Sequence, residues 1–232
     1  MTMSISGHLV LLLAIRVVAS LIIFAAVVGV LVFVIRRPIR RYKPLDLAVF
    51  DRLKHLPSAR RNRFMVLITF LGTHKFLVPA NLLLIAYFLF VARLTWFSIR
   101  VFAISLSSLI LMFLLKWLFQ RKRPLSPLLQ AARGLSFPSG HAIMSVSFFG
   151  LLVYWVVNSE LPHAVIILLT VILVMLIIMI GFSRVYLRVH YASDVLAGFI
   201  IGLIWLLITL GVVGNAERDS LAVVRFPDLY LC

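Results

Sequence analysis

The chain has 232 residues, 63% of them hydrophobic and 13% charged, with a net charge of +16. That composition cannot cover a soluble globule with polar surface, so it excludes soluble folds and requires an integral membrane protein. A bilayer core of about 30 Å takes roughly 20 apolar residues per helical crossing, so the length suits one membrane-embedded domain over residues 1–232 with no separate soluble unit.

The apolar runs predict an all-α polytopic protein with about six transmembrane helices. The runs are too long and too uniform for the alternating strands of a barrel. The first span covers residues 9–35; it ends in Arg36-Arg37 without a small-residue cleavage pattern and reads as a retained anchor. Arg16 within it reads as a snorkelling side chain. A basic stretch follows. Within it Leu45, Val49, Phe50, Leu53 and Leu56 recur at helical spacing, with Asp46, Arg52, Lys54 and His55 assigned to other faces, which predicts an amphipathic surface helix at residues 43–60.

The second span is expected at residues 76–92, with a helical lead at 64–71 interrupted at Gly72 and a kink at Pro79. The third covers 96–119, the fourth 141–157, the fifth 164–182 and the sixth 195–213, followed by a loose tail at 215–232. Cys232 is the one cysteine, so no intrachain disulfide is possible.

Three polar clusters stand where these spans meet water. Lys116 and Arg123-Pro124 leave the third span, Pro138-Ser139-Gly140-His141 enters the fourth, and Ser183-Arg184, His190 and Asp194 join the fifth to the sixth. Parity puts all of them on one membrane face, together with the surface helix.

Their chemistry points to phosphate. Arg123 and Arg184 offer planar donor forks that match phosphate oxygens, and Lys116 adds a cation. Ser139 and Gly140 stand at a helix start, where unpaired amides and the macrodipole favour an anion and a glycine admits close backbone approach. His190 and Asp194, four residues apart, would share a face if helical, letting the carboxylate orient the imidazole. His190 then reads as the nucleophile toward phosphorus, Asp194 as its orienting acid, and His141 as the group that protonates the departing oxygen. The cations would supply the charge compensation that phosphoryl transfer needs. No cofactor and no metal are expected, because the chain has seven acids and no His or Cys pair at ligand spacing with a third partner.

These clusters, spanning residues 116–194, resemble the signature of the type 2 phosphatidic acid phosphatase family, the lipid phosphatases related to haloperoxidases. Lys116 is followed after six residues by Arg123-Pro124, then by Pro138-Ser139-Gly140-His141, then by Ser183-Arg184, five residues, His190, three residues and Asp194. No position departs from the pattern. The resemblance implies His190 as nucleophile, His141 as acid and base, and Lys116, Arg123, Ser139, Gly140 and Arg184 as phosphate holders. It further implies a lipid phosphate substrate in the bilayer: phosphatidate, phosphatidylglycerophosphate, a sphingoid phosphate or a polyprenyl diphosphate. A phosphotransferase would use the same intermediate.

Single features of this kind have plainer explanations. Lys116 or Arg123 alone would be a snorkelling anchor, Pro138-Ser139-Gly140 an ordinary turn, and His190 with Asp194 a satisfied polar pair. The ordered set is what argues against them; His8, His55, His74 and His163 have no such company. A transporter or scaffold is the alternative class, but its polar groups would gather near mid-bilayer rather than at one face. Nucleic acid is not an expected partner, since the charges flank apolar spans and face headgroups. The plasma (inner) membrane is the expected location. Seventeen of the 23 Lys and Arg lie on the loops of the active face, which points that face to the cytoplasm, whereas the family resemblance points it outward.

Overall fold

The computed structural model describes residues 43–124, 127–128 and 134–225, together with Ala26, Gly29, Val30 and Phe33, which are helical. The expected first span at residues 9–35, with Arg16, lies almost wholly outside them. Continuous elements are α1 (Lys43–Leu53), α2 (Ala59–Phe70), α3 (His74–Ala86) with a π-helical turn (Tyr87–Val91), α4 (Thr95–Phe119), α5 (Gly140–Val157), α6 (His163–Tyr186) and α7 (Ala192–Arg225). The architecture is all-α. Five stretches among the described residues are long and apolar enough to cross a membrane: Ala59–Val91, Thr95–Phe119, Gly140–Val157, His163–Tyr186 and Ala192–Arg218.

The first of these has 33 residues, well over one crossing. It breaks at Leu71, Gly72 and Thr73, where successive amides fall back on carbonyls three residues earlier. The break stands where the sequence places it, at Gly72. Arg60, Arg61 and Arg63 sit on α2 ahead of it, so α3 beyond Lys75 and the π-turn form the more apolar part of the crossing, with Asn81 its one strongly polar residue. Pro79 is accommodated inside α3.

Helix α5 is the hub, packed against α4, α6 and α7. Half of its apolar window is buried, against 11% for α6, whose other faces are left to lipid. Leu111, Met112, Leu115, Ile143, Ile201 and Trp205 form one core cluster, and Phe88, Phe97, Val101, Ile104, Val146, Leu151 and Leu206 another. Buried polar contacts register the helices: the Ser108 and Ser147 hydroxyls meet at 2.7 Å, and Trp205 Nε1 donates to Ser107 Oγ at 2.9 Å. In a bilayer, such contacts supply specificity where hydrophobic burial between helices does not.

The structure corrects three expectations. The surface helix ends at Leu53, and residues 59 onward belong to α2. Asp46 is not on its solvent face: it is 2% exposed while Leu45 is 61% exposed. The buried stripe is Asp46, Val49, Phe50 and Leu53, whose apolar members pack against Ala142, Val185 and Val195. Residues 46, 49, 50 and 53 follow helical periodicity as well as the set starting at Leu45, so pattern alone could not choose between them. Finally, α7 does not loosen at Asn215 but continues helical to Arg225.

Candidate active site

The site is assembled by three chain reversals at one end of the bundle. At the end of α4, Gln120 adopts a left-handed conformation with φ of 48° and its N–H returns to the Lys116 carbonyl. That turn carries Arg121 and Arg123 back over the helix ends. Lys116 Nζ donates to the Leu135 carbonyl at 2.8 Å. Arg123 Nε donates to the Gly134 carbonyl at 3.1 Å and Nη1 to the Val189 carbonyl at 2.8 Å. A cavity of about 420 Å³ opens beside them, lined by Phe113, Lys116, Trp117, Gln120, Arg123, Gly134 and Leu135.

The second reversal is the start of α5. Ser139 holds the N-cap position with φ −68° and ψ 112°, yet its side chain makes no capping bond. Its Oγ is buried and has no protein partner. A hydroxyl kept back from the helix that it could cap is available to an anion. Gly140 permits the tight approach of this helix start to α4, since a Cβ there would lie 2.5 Å from Met112 Sδ. His141 Nε2 is likewise buried and unpartnered, within electrostatic reach of Arg184, His190, Arg123 and Lys116.

The third reversal joins α6 to α7. Arg184, 4% exposed, donates from Nη1 to Thr69 Oγ1 of α2 at 2.8 Å, while its Nε has no protein partner. His190 is 1% exposed and lies in the turn before α7, not on the helix. Asp194 lies in the first turn of α7 and accepts the Tyr191 amide at 2.9 Å, the back-reaching half of a capping box. Sequence spacing put both on one helical face; the structure brings them together by a helix cap instead.

The direct His190 Nδ1 to Asp194 Oδ2 distance is 3.8 Å, too long for a hydrogen bond. Ser136 stands between them, donating to Asp194 Oδ2 at 2.5 Å and lying 3.5 Å from His190 Nδ1. Arg123 Nη1 is 3.3 Å from His190 Nε2, a donor that leaves Nε2 as the acceptor and the ring neutral. Burial pushes the His190 pKa down to about 4, with the Asp194 carboxylate opposing and the Arg123 and Arg184 cations assisting. The imidazole is therefore unprotonated at ordinary pH, its Nε2 lone pair facing the Arg123 donor.

Lys116, Arg123, Ser139, Gly140, His141, Arg184, His190 and Asp194, the residues singled out in the sequence, thus all belong to this end of the bundle. His55, His74 and His163 are exposed and apart, and His8 is outside the described residues. Sequence reasoning missed Ser136, Thr69, Arg121, Ser193 and the role of Asp46. Ser136 and Thr69 had no signal, being ordinary polar residues in a loop and a basic helix. Asp46 had one: it is one of only seven acids, and it sits at positions i, i+3, i+4 and i+7 with Val49, Phe50 and Leu53.

Comparison with known proteins gives the family. The profile of the PAP2 superfamily matches residues 97–218. Over 156 residues the chain is 33% identical to phosphatidylglycerophosphatase B of Bacillus subtilis (strain 168), covering 65% of this chain and 74% of that protein. The crystal structure of a transmembrane PAP2 type phosphatidylglycerolphosphate phosphatase from Bacillus subtilis superposes with a TM-score of 0.67 at 28% identity, covering 83% of this chain and 94% of that one. LpxE of Aquifex aeolicus shares the fold, with a TM-score of 0.56 at 22% identity over 72% of this chain and 95% of its own. The chain belongs to the PAP2 superfamily, and with that membership it is a membrane-embedded phosphoric-ester hydrolase.

Proposed function

We propose that this protein hydrolyses the phosphomonoester or diphosphate of a membrane lipid without a metal ion, through a phosphohistidine formed on His190. The observation that carries the reading is that three of the five buried side-chain atoms without protein partners among the described residues, Ser139 Oγ, His141 Nε2 and Arg184 Nε, gather beside the Lys116 and Arg123 cations, while the other two, Arg100 Nε and Thr170 Oγ1, stand singly elsewhere. Buried polar groups are otherwise paired almost without exception, so unpaired ones beside cations mark an anion site.

His190 Nε2 attacks phosphorus while the ester P–O bond breaks. His141, protonated at that stage, gives its proton to the departing oxygen. Asp194, through Ser136, compensates the cation that forms on His190. Lys116, Arg123, Arg184, the Ser139 hydroxyl and the Gly140 amide take the equatorial oxygens, so most of the catalytic effect is positioning and fixed charge. Water then attacks the phosphohistidine, His141 takes its proton, and inorganic phosphate leaves.

The lipid class follows from position. The cavity beside Lys116 and Arg123 is walled by Phe113 and Trp117, 60% and 67% exposed on the outer side of α4, where a lipid tail can lie while its phosphate meets the cations. Phosphatidylglycerophosphate is the first substrate to test, because the curated relative is a phosphatidylglycerophosphatase. The plasma (inner) membrane is the location this substrate implies.

The test is phosphate release by the purified protein in detergent from phosphatidylglycerophosphate, phosphatidate and a polyprenyl diphosphate, with and without chelator. Release should survive chelation, be inhibited by vanadate, and pass through an acid-labile phosphoenzyme that His190→Ala does not form. Full activity in His190→Ala would overturn the mechanism, and no release from any lipid phosphate would overturn the substrate class.

A further inference from the structure

Arg121 lies within the first cluster but is not one of its motif positions, and it does something none of the motif cations does. Its Nη1 donates to Asp194 Oδ1 at 2.6 Å and to Ser193 Oγ at 2.8 Å, while its Nη2 donates to Asp46 Oδ2 at 2.7 Å. Its guanidinium also lies over the Tyr191 ring, 4.2 Å from the centroid. Asp46 in turn accepts the Ser193 amide at 2.9 Å and the Ser193 hydroxyl at 2.7 Å. A carboxylate from α1 thus caps the N-terminus of α7 one residue before Asp194, and one guanidinium is shared between two buried acids. Phe50 of α1 packs on Tyr191 with ring centroids 5.7 Å apart, closing the assembly. Helix α1 lies outside the stretch that the family profile matches, 97–218.

We infer that Asp46 and Arg121 are positioning residues for the reaction, acting on His190 through Asp194: Asp46 occupies the second nitrogen of Arg121, so Asp194 meets the guanidinium through one oxygen only and keeps enough charge to steady the imidazolium side of the transition state. The inference rests on the phosphohistidine reading above. Asp194 faces both His190 and Arg121, so the two compete for one carboxylate. With Asp46 removed, Arg121 Nη2 loses its partner, and with only Ser193 and the Tyr191 ring still holding the guanidinium it can turn both nitrogens to Asp194, the geometry guanidinium and carboxylate prefer. The positive charge near His190 then rises. With Arg121 removed, Asp46 and Asp194 are both uncompensated and the negative charge near His190 rises. The other charged or titratable groups facing His190 are Arg123, Arg184 and His141, and they are unchanged by either substitution.

The two substitutions therefore have opposite signs. Asp46→Asn disfavours the His190 cation, so the acid limb of kcat/KM moves to lower pH. Arg121→Gln favours that cation and moves the limb to higher pH. Each shift is expected at about half to one pH unit, less than a directly contacting charge produces. Because neither side chain touches phosphate, KM should stay within about twofold in both; kcat should fall about tenfold in Asp46→Asn, where Asp194 does less for the imidazolium, and should not fall below the parent's in Arg121→Gln. The double variant Asp46→Asn with Arg121→Gln should bring the limb back to within about 0.3 unit of the parent, a coupling that independent sites do not show.

The measurement is the pH profile of phosphate release from dioctanoyl phosphatidate by the full-length protein in detergent, with thermal unfolding as a check on folding. Opposite displacements that cancel in the double variant support the inference. Unmoved limbs, limbs that move the same way, or a loss expressed in KM alone would overturn it. Should Asp46→Asn fail to fold, the Arg121→Gln limb decides alone, since a limb that does not rise contradicts the charge sharing. A protein whose His190→Ala variant keeps full activity would instead overturn the underlying reading, so the two failures are distinguishable.

Discussion

The two ends of the helical bundle handle their polar groups differently. At the far end, Asn158 Nδ2 bonds the Tyr154 carbonyl at 2.7 Å and Ser159 Oγ the Val156 carbonyl at 2.6 Å, each within one turn of its own helix. One long-range ion pair, Arg100 with Glu217, is described there, with Tyr154 under the guanidinium at 5.9 Å. At the site end, side chains bond across elements: Asp46 to Arg121 and Ser193, Arg121 to Asp194, Ser136 to Asp194, Arg123 to Val189, and Arg184 to Thr69. The far end keeps its bonds mostly local, with Arg100 Nε its one buried atom without a protein partner among the described residues. The site end cross-links its loops while leaving selected atoms unsatisfied, as a pre-organised binding site requires and a merely stable one does not.

Substitutions should expose that contrast in graded fashion. His190→Ala is expected to lower phosphate release by at least about 10⁴-fold with little change in thermal midpoint, as measured by steady-state assay and unfolding in detergent. Arg184→Ala removes a donor set aside for the anion and should cost about 10²- to 10³-fold in kcat. Ser136→Ala breaks the bridge between Asp194 and His190 and should cost about tenfold, with a smaller effect on KM. The parent enzyme should lose kcat/KM as pH falls toward 4, because protonated His190 has no lone pair to offer; it should stay unprotonated, and active on this account, from there up to neutral pH. At the far end, Arg100→Ala should leave kcat within about twofold and lower stability by about 1 kcal/mol, the effect of one partly buried ion pair. Equal losses of activity at the two ends would abolish the distinction.

Much of this was legible before any coordinates. Long apolar runs placed three of the spans, the third to the fifth, to within about a turn, because a helix is the only way for such a run to satisfy its backbone in lipid. That the eight residues singled out gather at one end of the bundle was legible from span parity and from their spacings, which follow what phosphate chemistry would ask of cations, imidazoles and a helix start. The connections among them were not. Ser136 and Thr69 serve by being adjacent in space, which no local pattern encodes. Asp46 was readable only in part: its spacing fits the buried stripe, but an acid beside Leu45 looks like the polar side of a surface helix. The far helix was expected to end near Val213, where apolar character fades, yet it runs to Arg225 through Glu217, which Arg100 holds.

The kink between α2 and α3 has a further meaning for His141. A methyl group on Gly72 would come within 2.7 Å of Ile180 Cγ2 and 3.0 Å of His141 Cδ2, so the bare backbone there is a gauge block against which the ring rests. Enlarging residue 72 would force Ile180 or the imidazole to give way, so on the proposed mechanism this glycine would be a dial for the timing of proton delivery.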